Sequence, residues 1–200
     1  MDLRIRILTG ILGLSVVLTF VVAFLVIGAL TPDFHIASDY ISKLGSLGQP
    51  YSGWWNAIGF GFVGLSFALF GFLFGLCTND RVLSACLLIA GFGFAFAAIP
   101  TDFSDEYATL SKAHYASICF GLAGWCCGLA RLTGAKSTHN FARKSAVYTI
   151  TLSLIPMIAI GGGVSAEPFA HRMVILVVFC WIVANSLQLL KIHVDSNTAG

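Results

Sequence analysis

Charged side chains are scarce in this 200-residue sequence: Asp, Glu, Lys and Arg make up 10% of it, and hydrophobic residues make up 58%. Soluble globular domains carry about 25% charged residues, so this composition excludes an ordinary water-soluble surface. The sequence also lacks a Cys-x-x-Cys pair, and its six cysteines fall inside or at the ends of apolar runs. A zinc ribbon or redox motif therefore has no support, and the composition indicates a polytopic membrane protein.

The apolar runs predict an all-α membrane bundle of six transmembrane helices in a single domain, residues 1–200. Spans are expected at about residues 8–30, 54–77, 82–99, 113–132, 145–161 and 171–190. About 20 helical residues cross the hydrocarbon layer. The first run is longer than the core of a signal peptide and lacks a clear cleavage site, so we expect a retained helix.

Two local patterns add detail to these spans. Trp54 and Trp55 open the second span, as aromatic residues at a membrane interface do. Small residues at a spacing of four allow helices to approach closely, and this spacing relates Gly71 to Gly75 and Gly124 to Gly128. We therefore expect helix–helix contacts at these glycines.

The longest polar passage of the chain, Ser38 to Pro50, follows the first span. His35, Asp39 and Ser42 recur there at helical spacing. A second, apolar stripe is formed by Ile36, Tyr40, Leu44 and Leu47. The pattern predicts a short amphipathic helix at the interface, started near Pro32 or capped by Ser38 and ended at Gly45.

The distribution of charge predicts the orientation. Six spans place both termini on one side, which would hold eight of the eleven basic residues: Arg4, Arg6, Arg81, Arg131, Lys136, Arg143, Lys144 and Lys191. By the positive-inside rule that side is the cytoplasm. We expect a multi-pass protein of the plasma membrane, in bacteria the inner membrane. The basic loop near Lys144 is then a topology determinant that meets anionic lipid, not a nucleic-acid site.

Polar residues collect on the opposite, outer side. Ionisable side chains at membrane depth are costly and should face protein or a wet cavity. Residues from several spans could therefore converge in one site, and the candidates are Asp39, Ser42, Asn56, Asp102, His114, His171 and Arg172.

Three chemistries fit these residue types. Asp102 and His114 could act together as a general base that activates a hydroxyl such as Ser42. The substrate would then be bound by Asp39, Asn56, His171 and Arg172. Arg172, Lys43 and the histidines could instead hold an anionic lipid headgroup. A metal held by His114, His171 and Asp102 is the third alternative. The sequence has no His-x-x-x-His or His-Glu-x-x-His spacing, which favours a site without metal or other cofactor.

Several short motifs resemble those of a known family. They are Ile41-Ser42-Lys43-Leu44-Gly45 with Pro50 and Asn56 after it, Pro100 and Asp102 before the fourth span, and His114 at its start. In these the chain resembles the six-helix prokaryotic membrane family DUF998, whose function is unknown, and more distantly the FRAG, DRAM and Sfk membrane proteins. Where the family pattern has Glu-Arg, this chain has His171-Arg172. The resemblance implies six helices and a link to lipids of the outer leaflet, with Arg172 carried over.

The sequence thus predicts an outer-leaflet site that binds, and could act on, a lipid or lipid-linked headgroup, with membrane lipids as partners. One alternative is a non-catalytic scaffold, lipid-handling or partner-binding subunit. A small-solute transporter is a weaker alternative, because the spans carry almost no ionisable residues near the bilayer centre.

Overall fold

The computed structural model describes residues 3–105, 107–134, 140–161 and 167–198. These residues contain six main helices and a 3-10 helix at Ile41–Gly45. The main helices are α1 (Leu3–Leu30), α2 (Ser52–Cys77), α3 (Arg81–Phe96), α4 (Thr109–Gly134), α5 (Asn140–Gly161) and α6 (Glu167–Thr198). The all-α prediction is confirmed, and the predicted spans fall on these helices in order.

Within the described ranges, four helical segments are long and apolar enough to cross a membrane: Leu3–Leu30, Ser52–Cys77, Thr109–Gly134 and Pro168–Lys191. Helix α3 is apolar but shorter, and it ends before residue 99, where the sequence prediction placed its end. The Ile99 N–H bonds back to the Phe96 carbonyl at 3.0 Å, a tightened last turn. Pro100 explains this end, because the residue before a proline is held out of the α conformation.

The six helices form a closed ring. Each main helix packs against the next along the chain, and α1 packs against α6. Helices α1 and α6 are antiparallel: Gly10 adjoins Leu190, and the Phe20 and Phe179 rings lie 4.8 Å apart. We call the end that holds residues 31–51 and 100–108 the loop end. The opposite end, which holds the start of α1 and the last turns of α6, is the terminal end.

Aromatic side chains fill the centre of the ring. Trp125 of α4 and Trp181 of α6 make an edge contact at 5.0 Å between ring centroids. Phe67 of α2 packs on Trp125 at 5.9 Å, and Phe74 of α2 packs on Trp181 at 5.2 Å. Edge-to-face pairs of this kind add about 1 kcal/mol each beyond their burial. The interior is therefore a packed aromatic core.

Helices α2 and α3 approach closely through small residues. A Cβ added at Gly64, Gly71, Gly75 or Gly91 would come closer than 3.0 Å to the facing helix. The contacts run in antiparallel register, with Gly64 on Ala95 and Gly91 on Ala68. Gly124 and Gly128 of α4 pack similarly on α3. The predicted roles of both glycine pairs are confirmed.

The two tryptophans that open α2 have different environments. Trp54 is 68% exposed and fits the interface role predicted for it, whereas Trp55 is fully buried in the core. The prediction that both mark the membrane interface is wrong for Trp55. Successive helical residues point about 100° apart, so Trp54 can face outward while Trp55 faces the core.

A tight turn joins α2 to α3 at the terminal end. Asn79 takes a left-handed conformation (φ 55°), and the Asp80 N–H bonds to the Gly75 carbonyl at 2.9 Å. This is a Schellman ending, in which a residue after the helix adopts the left-handed region. Asp80 then caps α3, because one carboxylate oxygen accepts the N–H groups of Val82 and Leu83 at 3.0 Å each.

The second carboxylate oxygen of Asp80 accepts a hydrogen bond from Arg131 Nε of α4 at 2.8 Å. Burial opposes ionisation of Asp80, but the N–H bonds and the Arg131 charge outweigh it and lower the pKa of this carboxyl. One side chain thus fixes the start of α3 and ties it to the end of α4.

Candidate functional site

Arg172, near the start of α6, fastens the first loop over the loop end of the bundle. Its guanidinium donates one hydrogen bond to the Ala37 carbonyl at 2.7 Å and another to the Asp39 carbonyl. A planar guanidinium can hold two acceptors at once. Arg172 therefore acts here as a clamp on the loop backbone.

Further contacts join the first loop to the 100–108 segment. The Leu47 N–H donates to the Thr101 carbonyl at 2.9 Å. The Tyr40 ring lies 5.6 Å from the His171 ring and 6.1 Å from the Phe103 ring. Three segments distant in sequence therefore meet at Tyr40.

The single amphipathic helix predicted for this loop is wrong. Residues 35–39 form a separate turn, closed by the bond from the Asp39 N–H to the His35 carbonyl at 2.9 Å, and the 3-10 helix begins only at Ile41. Asp39 explains the break, because its carboxylate accepts the His35 N–H at 2.8 Å and so closes a local turn. The predicted end at Gly45 is confirmed.

The Asp39 carboxylate also pairs with Lys43 at 2.8 Å. Burial opposes its ionisation, but the bond from the His35 N–H and the Lys43 ammonium outweigh it and lower the pKa of Asp39. Asp39 and Lys43 therefore neutralise each other in the loop. Neither is left as a lone charge for a ligand.

Asn56 supports the first loop from below. Its Nδ2 donates to the Gly45 carbonyl at 2.8 Å, and a Cβ at Gly45 would clash with the amide. Asn56 lies in a π-helical stretch of α2, Trp55–Phe62. Such stretches occur often at functional sites. The bare Gly59 leaves room for the Trp55 indole to lie against the widened helix.

His114 lies beneath this assembly and is 1% exposed. Its Nδ1 is 3.0 Å from the Ile99 carbonyl, and its ring packs on Phe60 at 5.9 Å. A carbonyl only accepts, so Nδ1 carries the proton of the neutral ring and Nε2 keeps a lone pair. His114 is therefore oriented as a hydrogen-bond acceptor.

Asp102 is not joined to His114. One Asp102 carboxylate oxygen accepts the Ser104 hydroxyl at 2.6 Å and the Ser104 N–H at 2.9 Å. These bonds lower the pKa of Asp102 and make it a weak proton acceptor. The Asp102 backbone N–H bonds to Ser111 of α4 at 3.0 Å, so Asp102 and His114 share a corner of the fold without touching.

Ser42 lies in the 3-10 helix and is half-buried. No hydrogen bond joins it to His114 in the described part of the chain, where the Ile99 carbonyl takes Nδ1 and Nε2 has no partner. Catalysis by Ser42, Asp102 and His114 stays a prediction. Of the candidates, Asp39, His171 and Arg172 are brought together around the first loop, with Asn56 below it.

Sequence reasoning missed a set of buried polar atoms at this end. Five such atoms have no hydrogen-bond partner among the residues that the structure describes: Trp55 Nε1, Asn56 Oδ1, Thr101 Oγ1, His114 Nε2 and Arg172 Nε. We call them the unpaired polar atoms. Buried polar atoms without partners are rare in native proteins and call for an ordered water, a ligand or a functional role. The Phe60 ring lies between two of these residues, 5.4 Å from the Trp55 ring and 5.9 Å from the His114 ring.

The sequence gives little signal for this set. Tryptophan and threonine in an apolar run resemble ordinary core or interface residues. The described residues also contain no group of three or more His, Cys, Asp or Glu side chains able to hold a metal ion. The chemistry that the site offers is therefore hydrogen bonding.

A ring of apolar helices with a polar loop fastened over one end defines a multi-pass α-helical membrane protein. The model of the family described as "Protein of unknown function (DUF998)" matches residues 14–188, and the chain belongs to this family. The matched range includes every candidate site residue, and the resemblance seen in the sequence is confirmed. No curated protein and no solved structure matches the chain.

Proposed function

We propose that this protein binds the hydroxyl-bearing headgroup of a membrane lipid at the loop end, beneath the first loop. The observation that carries the proposal is the set of unpaired polar atoms, defined above within the described residues. Leaving such an atom buried and unsatisfied costs about 1–3 kcal/mol. Five of them at one end of the bundle favour a ligand that supplies the missing hydrogen bonds.

The donor and acceptor pattern selects the ligand chemistry. His114 Nε2 and Asn56 Oδ1 are acceptors, because the other polar atom of each side chain donates to a carbonyl. Trp55 Nε1 and Arg172 Nε are donors, and the Thr101 hydroxyl can serve as either. Hydroxyl groups both donate and accept, so a sugar or polyol headgroup matches this mixture.

Charge at the loop end argues against the anionic headgroup considered from the sequence. The described side chains there include the carboxylates of Asp33, Asp39, Asp102 and Asp105. Lys43 is paired with Asp39, and Arg172 donates to two backbone carbonyls while its Nε has no partner among the described residues. Carboxylates therefore predominate at the loop end, which favours a neutral headgroup over an anionic one.

The proposal includes the orientation expected from the sequence. All six helices cross the membrane, both termini are cytoplasmic, and the loop end lies at the outer leaflet. Helix α3 is the shortest of the main helices at 16 residues, about 24 Å of helix. The tightened turn after it and Pro100 extend its reach toward the interface. The first loop covers the unpaired polar atoms, so a headgroup reaches them when residues 41–47 move aside.

His114→Asn tests the proposal. Asparagine can place an amide nitrogen near the position of Nδ1 and keep the bond to Ile99, but it has no atom at the position of Nε2. We expect retention of glucosyl diacylglycerol in native mass spectrometry to fall about tenfold, the effect of losing about 1.4 kcal/mol of hydrogen bonding.

His35→Asn is the matched control, because His35 is exposed at the same end; we expect it to bind as the wild type does. Phosphatidylcholine, whose headgroup has no hydroxyl, should bind all three proteins equally. Equal retention of glucosyl diacylglycerol by His114→Asn and wild type would reject the site.

A second function, that of a non-catalytic scaffold, is favoured by the Arg172 clamp. The clamp and the bond between Leu47 and Thr101 hold the first loop against the bundle as an outer surface. A partner protein could recognise that surface without any ligand beneath it. In that case the His114 variant would bind lipid normally, and changes at exposed residues of the first loop would matter instead.

A further inference from the structure

The terminal end has a cavity that the loop-end site does not involve. Its volume is about 30 Å³, and it opens between α1, α2, α5 and α6. Polar lining comes from Arg6, Thr78, Asn185 and Gln188. Phe141 and Leu189 contribute apolar lining. The cavity therefore combines a cation, two carboxamides and a hydroxyl with an apolar wall.

Arg6 is the unusual group in this cavity. Its Nε is buried and has no hydrogen-bond partner in the described ranges of the chain. A guanidinium has five N–H donors and no acceptor, so it calls for an anion or a set of carbonyls. An arginine that lines a cavity between membrane helices and keeps an unpaired donor is a ready site for an anionic group.

The local charge also favours an anion. Asp80 is the carboxylate that the described side chains place at the terminal end, and Arg131 already pairs with it. The other described charges at the terminal end are basic, including Arg81, Arg143, Lys144 and Lys191. This contrasts with the loop end, where carboxylates predominate.

We infer that Arg6 and Gln188 bind the phosphate group of an anionic phospholipid in the leaflet at the terminal end. Arginine binds phosphate oxygens with two parallel hydrogen bonds, and basic pockets between transmembrane helices hold lipid headgroups. A cavity of about 30 Å³ admits one or two water-sized atoms. It therefore fits phosphate oxygens, while the acyl chains lie outside along the apolar surface of the bundle.

Arg6→Gln tests this inference. We expect retention of phosphatidylglycerol in native mass spectrometry, and its stabilising effect in thermal unfolding, to fall about tenfold in apparent affinity. Arg81→Gln removes an exposed charge at the same end and serves as the matched control. It should change the apparent affinity less than twofold. Arg6→Lys keeps the charge but loses the planar fork, and should be intermediate.

Two further comparisons distinguish the phosphate group of a lipid from a soluble anion and from general surface attraction. Inorganic phosphate added to the detergent-solubilised protein should stabilise it only weakly, because it lacks the apolar contacts of a lipid; equal stabilisation by phosphate would point to a soluble anion. Equal losses in Arg6→Gln and Arg81→Gln would overturn the inference in favour of general surface attraction. If Arg6→Gln fails to fold, Gln188→Leu provides the same comparison. None of these results depends on the hydroxyl-bearing lipid at the loop end.

Discussion

Gly91→Ala should destabilise the folded bundle by about 3 kcal/mol, through overpacking between two helices. A Cβ at Gly91 would lie closer than 3.0 Å to the backbone N and Cα of Ala68. A backbone cannot rotate aside as a flexible side chain can, so α2 and α3 would have to separate. Separation would also loosen the neighbouring contact of Gly64 with Ala95.

The measurement is unfolding by SDS titration in mixed micelles, followed by tryptophan fluorescence. Gly53→Ala is the control: it lies in the first turn of α2, where a Cβ would meet no described atom within 4 Å. Alanine is the better helix former, so this change should be neutral or slightly stabilising. Equal stability of the Gly91 and Gly53 variants would contradict the close approach of α2 and α3.

Asp80→Ala should cost about 2–3 kcal/mol. About 1 kcal/mol comes from the lost cap of α3, and the rest comes from the lost hydrogen-bonded pair with Arg131. The contribution of the Asp80–Arg131 pair is smaller than that of a fully buried pair, because Arg131 is 51% exposed and water can replace part of its interaction. Asp80→Asn keeps an oxygen able to cap the helix and removes only the charge, so its cost should be about half as large.

The pH dependence of unfolding separates the two terms. The pKa of Asp80 is lower in the folded protein than its unfolded value of about 3.9. Its stabilising contribution is therefore complete at neutral pH and is lost as the pH falls through the folded pKa, below about pH 4. Wild type should lose stability there more steeply than either Asp80 variant. Asp33→Asn, an exposed change that suits the positive φ of that residue, should follow the wild type.

The helices could be predicted from the sequence because a membrane-length apolar run must satisfy its backbone within a helix. The side of each helix that turns toward the core could not be predicted from the sequence. In a bundle surrounded by lipid, core-facing and lipid-facing side chains are both apolar, so no hydrophobic stripe marks the interior. Trp54 and Trp55 show this limit: the same residue type stands at adjacent positions, with one side chain exposed and the other fully buried.

The candidate site was predictable in part for a related reason. Scarce polar residues must gather where they can be hydrated or paired, which drew attention to Asn56, His114 and Arg172. Their partners are mostly backbone carbonyls, at Gly45, Ile99 and Ala37. Every residue carries a carbonyl, so no sequence pattern identifies those particular acceptors. The prediction that pairs Asp102 with His114 rests on residue type alone and does not consider backbone carbonyls as competing partners of the histidine.

Nitrogen-15 NMR of histidine-labelled protein in nanodiscs, before and after addition of glucosyl diacylglycerol, tests the lipid site most directly. His114→Asn assigns the signal. We predict an unprotonated Nε2 in the lipid-free protein, and a shift of that signal toward the protonated position when a lipid hydroxyl donates to it, while His35 stays unchanged. A His114 Nε2 signal that does not move at saturating lipid, or a ring protonated on Nε2 instead of Nδ1, would contradict the site.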